Sequence, residues 1–313
     1  MWQDEARQWL REVLPAAGPL DIEVVRERAW GTIWRVTAGG DLYWFKRAHP
    51  ELRQEVRLRR VLQHRAPDLV LEVVADHAER GWMVTIDQGP TLASLAREQG
   101  PHHYEELAAS MAEIQRSVTA ADLAGLGLPV FAPRKAVDQL DEMLAPFAEL
   151  PVDHPAHVSP GEREGALERL AAVVDRWTRL EAAVPGLGLD HNDLHAGNAF
   201  PGPRISDWGD AVIAHPFGSL RALLVPARNT FGPEVVDPIR RAYLAGFADG
   251  SGDGPGGVEA LQEALDVAMM LAVPQRLAAW RAMQDPQSWA EYAHCIGPLW
   301  REAGVPAERV TVP

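Results

Sequence analysis

A chain of 313 residues with 47% apolar content can fill two modest cores or one large one, so it reads as a globular, enzyme-sized protein. Its 44 acidic against 30 basic residues give a formal charge of −14, which argues against an extended nucleic-acid surface. An acidic balance instead favours a cationic small molecule near an acidic cleft, or serves solubility alone.

Cys295 is the only cysteine, which excludes an intrachain disulfide and a thiolate metal cluster, and it reads as a small buried apolar residue. No apolar run reaches transmembrane length and the start lacks a basic-then-apolar signal, so a cytoplasmic chain with no membrane partner is expected.

Trp9, Leu10, Val13 and Leu14 mark the apolar side of a helix over 3–14, closed by Pro15 and Gly18. The period then changes. Segments 22–28, 32–37 and 42–47 are rich in β-branched and aromatic residues, separated by Ala29-Trp30-Gly31 and Ala38-Gly39-Gly40-Asp41. They read as three antiparallel strands joined by tight turns. The stretch Ala29 to Trp34 holds one glycine, too few to identify a phosphate loop, although Gly31 permits close backbone approach to a nucleotide. Trp30 and Trp34 are open to two readings, cover over a ligand or core packing.

Lys46 lies near the end of the third strand, and a helix over 51–64 offers Glu55 nine residues on. A strand lysine paired with a helix glutamate can hold its ammonium against nucleotide phosphates. Glu51 falls in the first turn, where a carboxylate often marks only a helix start, so Glu55 is the expected partner. Two more strands, over 69–74 and 82–86, complete a five-stranded sheet before the chain leaves through Asp87-Gln88-Gly89-Pro90.

From Thr91 onward strand signals nearly vanish. Helical spacing predicts helices over 91–98, 104–118, 132–145, 162–183, 219–225, 238–247, 258–283 with a break or kink at Pro274, and 286–293. The run 250–257 is a glycine-rich surface turn without the placement of a nucleotide fingerprint. Trp280, Trp289, Tyr292, His294, Trp300 and Arg301 either pack the terminal helices together or line an acceptor pocket.

The densest polar cluster is His191-Asn192-Asp193-Leu194-His195-Ala196-Gly197-Asn198, followed by Ile205-Ser206-Asp207-Trp208-Gly209. A turn at Pro201-Gly202-Pro203 makes these residues a loop and its return strand. Buried carboxylates this close need a cation or a shared proton. Asp193 is a candidate base for a hydroxyl, while Asn198 and Asp207 offer hard oxygens suited to magnesium carried in with a nucleotide.

This composite pattern resembles the aminoglycoside phosphotransferase and choline kinase-like superfamily, relatives of the protein kinases. The resemblance implies an α+β fold with two lobes: a small five-stranded antiparallel sheet lobe over 1–87 and a large, mainly helical lobe over 88–313. It implies transfer of the γ-phosphoryl group of ATP, with GTP left open, to a hydroxyl of a small molecule such as an aminoglycoside, amino alcohol or sugar. By the same resemblance Asp193 faces the acceptor hydroxyl, Asn198 and Asp207 hold Mg2+, and Lys46 with Glu55 contacts the phosphates. His191 buttresses the loop, His195 shapes it or contacts the acceptor, and the hinge at Thr85, Ile86 and Asp87 holds adenine through its backbone.

The sequence departs from the pattern at three places. Asn192 and Ala196 stand where members often have glycine and proline, which touches loop shape. Ser219 stands where members commonly carry an aspartate that supports the catalytic loop. Either Asp210 supplies part of that support or the loop is held differently. A nucleotide-binding scaffold with little transferase activity is the alternative, disfavoured by the complete Lys-Asp-Asn-Asp set. A protein kinase is disfavoured by the nine positions from Asn198 to Asp207 and the lack of a later Ala-Pro-Glu.

Overall fold

Residues 2–15, 19–248 and 258–310 are described in the computed structural model of the chain. Helix α1 (Trp2–Val13) precedes strands β1 (Asp21–Arg28), β2 (Gly31–Ala38) and β3 (Asp41–Ala48); helix α2 (Gln54–Arg65) leads to β4 (Val73–His77) and β5 (Trp82–Ile86). The five strands form one antiparallel sheet in the order β1-β2-β3-β5-β4.

Alternation along the strands decides what each face carries. Trp34, Val36, Tyr43, Phe45, Trp82 and Val84 pack on one face beneath Ala6 and Leu10 of α1 and Leu14 just past its end. Their neighbours Ile33, Trp44, Lys46, Met83 and Thr85 turn to a cleft on the other. Lys46 pairs with Ile33 on one side and Met83 on the other, so a one-residue slip of β3 would bury the ammonium beneath α1. Trp34 is therefore a core residue, stacked on Trp2 at 5.2 Å and tilted on Phe45 at 4.9 Å.

Two elements of the sheet region differ from the sequence reading. Pro67–Leu69 is a 3-10 turn and β4 begins only at Val73, so the strand expected over 69–74 is displaced. The apolar Val70 and Leu71 are buried as a plug, and Val70 forms a bridge with Ile205. Composition cannot separate such a plug from a strand. Helix α2 begins at Gln54 after a 3-10 turn at Pro50–Leu52. Glu51 thus lies outside the helix, and the first-turn position attributed to it belongs to Glu55.

The helical remainder comprises α3 (Leu92–Gln99), α4 (His102–Ser117), α5 (Ala120–Leu123), α6 (Ala136–Ala148), α7 (Pro160–Leu180), α8 (Leu220–Phe231), α9 (Val236–Ala245), α10 (Val258–Leu271), α11 (Val273–Met283), α12 (Pro286–Glu291) and α13 (Ala293–Arg301). Between α7 and α8 run four short strands, β6 (Gly188–Asp190), β7 (Ala199–Phe200), β8 (Arg204–Ile205) and β9 (Val212–Ala214). They pair as two hairpin-like ladders, β6 with β9 and β7 with β8.

The expected helix ends at Ala145 and Val225 both precede prolines, yet α6 and α8 run through Pro146 and Pro226. An interior proline costs about 3 kcal/mol, which full burial of Phe147 and Ala227 just beyond helps offset. The long helix expected over 258–283 breaks at Ala272, placing Pro274 in the first turn of α11, where a proline is tolerated.

Helix α13 was not expected. Its Ile296, Gly297 and Trp300 face the core, which leaves Cys295 on the outer side as an exposed thiol instead of the buried apolar residue the composition implies. The glycine-rich run 250–257 lies outside the described residues. Among the described residues no helix is long and apolar enough to cross a membrane.

Candidate active site

The cleft between the sheet and the helices has a volume of about 340 Å³. Lys46 enters from β3, and its Nζ lies 2.8 Å from Glu55 Oε1 and 2.6 Å from Asp207 Oδ1. Burial disfavours the ammonium, but the charges of Asp207 and Glu55 outweigh it and hold Lys46 above the ordinary lysine value. For Asp207 the neighbouring Lys46 dominates and holds the carboxyl below the usual range. Glu55 is only 1% exposed, and burial pushes its carboxyl up against the pull of Lys46.

Asp207 adopts a left-handed backbone, φ 57°, a conformation Asp tolerates better than bulkier residues. Two residues on, a Cβ at Gly209 would stand 3.4 Å from Glu55 Oε2, so glycine lets this turn lie against the buried pair. One helical turn beyond Glu55, Arg59 is also buried and donates to the Leu71 and Ile205 carbonyls. Burial lowers its pKa to about 10. The sequence reading missed Arg59; its signal is the i, i+4 spacing from Glu55.

Strand β6 delivers the loop. The buried His191 ring donates from Nε2 to Ser206 O at 2.9 Å and accepts at Nδ1 from Asp193 N at 3.3 Å, which fixes the tautomer assigned to it. It lies 4.4 Å from the Trp208 ring, and burial lowers its pKa to about 4. His191 therefore ties the start of the loop to the segment carrying Asp207. Asn192 has φ 64°, a left-handed conformation that Asn can adopt in place of glycine.

His195 Nδ1 accepts from Gly197 N at 3.0 Å, while its Nε2 stands 3.7 Å from Asp193 Oδ2. A Cβ at Gly197 would meet His195 Cε1 at 2.8 Å, so this turn requires glycine for closeness. Asn198 Nδ2 lies 3.1 Å from Asp193 O and 3.4 Å from its Oδ2, which leaves the Asn198 amide oxygen as an acceptor without a hydrogen bond among the described residues. Ser206 donates to Asn198 O from both N, at 2.8 Å, and Oγ, at 2.9 Å, so the hairpin fixes Asn198 relative to Asp207.

A third element closes the group, and nothing in the sequence motif pointed to it. Arg276 of α11 places Nη2 2.8 Å from Asp193 Oδ1 and Nη1 3.8 Å from Asp210 Oδ2, and also donates to Asn192 O. Burial would raise the Asp193 carboxyl, but Arg276 and then His195 hold it below the usual range. Burial and the Asp193 charge push Asp210 up to about 7. The support expected from Asp210 comes from its backbone carbonyl, which accepts from Asn192 Nδ2 at 3.0 Å. At Ser219 the loop is held differently from the resembled pattern: its hydroxyl donates to Asp190 at 2.6 Å.

Thr85, Ile86 and Asp87 line the far end of the cleft, where Asp87 N donates to Leu42 O at 3.0 Å and Trp44 Nε1 donates to Asp87 Oδ1 at 2.6 Å. Gly31 is not brought into this wall. It pairs with Ala48, and a Cβ there would stand 2.7 Å from Arg47 O, so glycine serves the strand pairing. Trp30 packs edge-on against Trp280 at 5.6 Å and Tyr292 at 4.9 Å, while Trp289 and Trp300 lie buried beside Phe147. The late aromatics thus largely fill one another's faces. Among the described residues no group of three or more His, Cys, Asp or Glu could hold a metal by itself.

The fold matches known structures across nearly its whole length. An ethanolamine kinase from Plasmodium vivax superposes with a TM-score of 0.67 at 10% identity, covering 96% of this chain and 88% of that one. A choline kinase from Cryptosporidium parvum Iowa II gives 0.65 at 13% identity, covering 96% and 95%. Spectinomycin phosphotransferase in complex with ADP and spectinomycin gives 0.55 at 11% identity, covering 98% of each chain. At such identities the likeness concerns the two-lobed, kinase-like α+β fold. No curated protein matches the sequence significantly. The model of the phosphotransferase enzyme family (APH) matches residues 21–260, and with that span of sequence, this chain belongs to that family and is a small-molecule kinase.

Proposed function

We propose that the chain transfers the γ-phosphoryl group of ATP to a hydroxyl of a small molecule, with aminoglycosides, amino alcohols and sugars as the acceptor classes. The observation that carries this reading is the convergence on Lys46, whose ammonium joins a buried helix carboxylate and the loop carboxylate of Asp207 in a cleft also lined by Asn198. Phosphoryl transfer asks a protein mainly for positioning and charge neutralisation. This arrangement offers both.

In this proposal the lobe boundary lies at 87/88, between β5 and α3, and Thr85, Ile86 and Asp87 present backbone to adenine. Ile33, Leu71, Met83 and Phe200 supply apolar walls for the base. Lys46, held by Glu55, contacts the phosphates. The amide oxygen of Asn198 and the Asp207 carboxylate, whose side chain is 46% exposed, form an all-oxygen pair that fits magnesium arriving on a nucleotide. Two protein oxygens suffice for an ion whose remaining ligands are phosphate and water. When bound, the ion would neutralise charge on the transferring phosphoryl group.

Asp193 orients the acceptor hydroxyl and takes its proton late in transfer. Its Oδ1 is engaged by Arg276, so Oδ2, beside Asn198 and His195, is the oxygen that meets the hydroxyl. His191 holds the loop backbone, and His195 borders the acceptor side.

The test is nucleoside diphosphate release with magnesium over a panel of the three acceptor classes, using ATP and then GTP. Release that depends on one acceptor is the expected result. Nucleotide binding without acceptor-dependent release across the panel would favour a catalytically weak scaffold of the same fold.

A further inference from the structure

Asp190 closes β6 with no exposed surface, one residue before the catalytic loop. An ionised carboxylate withdrawn from water costs several kcal/mol unless its lone pairs are satisfied, so an apolar residue would serve packing better. Here they are satisfied in a particular way. Ser219 Oγ donates to Oδ1 at 2.6 Å, Asn192 N donates to the same oxygen at 2.7 Å, and Gln275 Nε2 donates to Oδ2.

Each donor leads back to the loop. Ser219 Oγ accepts from His191 N at 3.0 Å, so the hydroxyl relays the carboxylate to the first loop residue. Gln275 O accepts from Asn192 Nδ2 at 2.8 Å. The next residue, Arg276, donates to Asn192 O and lies 2.8 Å from Asp193 Oδ1. Two arms from one buried charge thus grip residues 191, 192 and 193 in turn.

The surroundings leave room for this charge. A Cβ at Gly218 would stand 2.5 Å from Asp190 Oδ2 and 2.8 Å from Gln275 Nε2, so glycine keeps the space open. Gln115 Nε2 stands 3.1 Å from Ser219 Oγ, and Tyr243 donates to Gln115 Oε1 at 2.7 Å, which anchors the hydroxyl to α4 and α9.

We infer that Asp190 is the positioning residue of the catalytic loop, acting through Ser219 on one side and through Gln275 and Arg276 on the other to fix Asp193. The loop's supporting charge comes from position 190 instead of 219. This inference rests on the reading of Asp193 as the residue facing the acceptor hydroxyl.

The test uses the full chain with MgATP and an alcohol that supports ADP release in the panel. Asp190→Asn should lower kcat at least about tenfold while the KM for ATP stays within about twofold. The exchange Asp190→Ser with Ser219→Asp should recover most of that loss by returning a carboxylate to the same pocket. Arg276→Ala should lower kcat similarly, and the double variant Asp190→Asn with Arg276→Ala should lose little more than the worse single one, as members of one path do.

A folded Asp190→Asn protein with wild-type kcat, or losses that multiply in the double variant, would overturn the inference. So would an exchange variant no better than Asp190→Asn. Should Asp190→Asn fail to fold, Gln275→Ala and Arg276→Ala read the same arm: a shared, non-multiplying loss supports it and unchanged kcat refutes it. A wild-type chain with no acceptor-dependent ADP release would refute the phosphotransfer reading itself, whereas turnover undiminished in the variants refutes only the positioning role.

Discussion

Lys46 and Asp207 are 161 positions apart in the chain and 2.6 Å apart in the fold. The contact joins a strand of the sheet to the segment that returns from the 191–198 loop, so the two sides of the cleft meet through an ion pair.

Asp207→Asn keeps the shape of the side chain and removes its charge. The thermal midpoint should remain within a few degrees, while magnesium-dependent turnover falls on the order of 100-fold. Turnover equal to wild type would remove Asp207 from the metal site.

Asp193→Asn is expected to leave ATP binding intact and reduce transfer by roughly 10² to 10⁴-fold, the range for loss of a positioned general base. Calorimetry with ATP and single-turnover transfer measured on the same preparation separate the two effects. Undiminished transfer would exclude a base role.

Lys46→Met strands Glu55, whose side chain is only 2% exposed, without its cation. Breaking a buried pair on one side costs about 3 kcal/mol, and adding Glu55→Gln should restore part of it by neutralising the orphaned charge. Urea unfolding of the single and double variants reports this directly. A double variant no more stable than Lys46→Met would show that the pair is not coupled through burial.

His215 is buried, and that burial lowers its pKa from 6.5 to about 3, against the opposing effect of the Pro185 carbonyl. The unfolded chain therefore binds a proton that the folded chain refuses between these values. The sign follows: this contribution is fully present above pH 6.5 and is lost as pH falls toward 3. One such group gives a slope of at most about 1.4 kcal/mol per pH unit. His215→Asn should flatten the stability profile in that window, as followed by urea midpoints. An unchanged slope would assign the acid sensitivity to other groups.

The sheet was legible because Tyr43, Phe45 and Lys46 obey a two-residue period, and period alone assigns opposite faces. Val70 and Leu71 misled for the converse reason: an apolar pair carries no period and serves a plug as well as a strand. Pro146 and Pro226 misled because local propensity opposes what tertiary burial of the following residues sustains.

In the site, Asp193, Asn198 and Asp207 were visible together because one short loop and hairpin carry all three. Asp190 sits beside that loop, yet a single carboxylate at a strand end has no pattern of its own. Arg276 gave no signal, since its meaning depends on a contact across the chain that only packing creates. Gly31 carries a strand-pairing constraint, which the single glycine in Ala29 to Trp34 does not announce.

The grip of α11 on the loop sets an order in time. Asn192 meets Gln275, which follows it by 83 residues. At roughly 5 to 20 residues per second of synthesis, the loop emerges from a ribosome some 4 to 17 s before its clamp does. During that interval a nascent chain already holds Lys46, Glu55, Asn198 and Asp207 but has no Arg276 to set Asp193. The core beneath the loop is incomplete for as long, since it draws on Val273 and Leu277 of the same helix, so the loop's grip and its packing close together once α11 has been made.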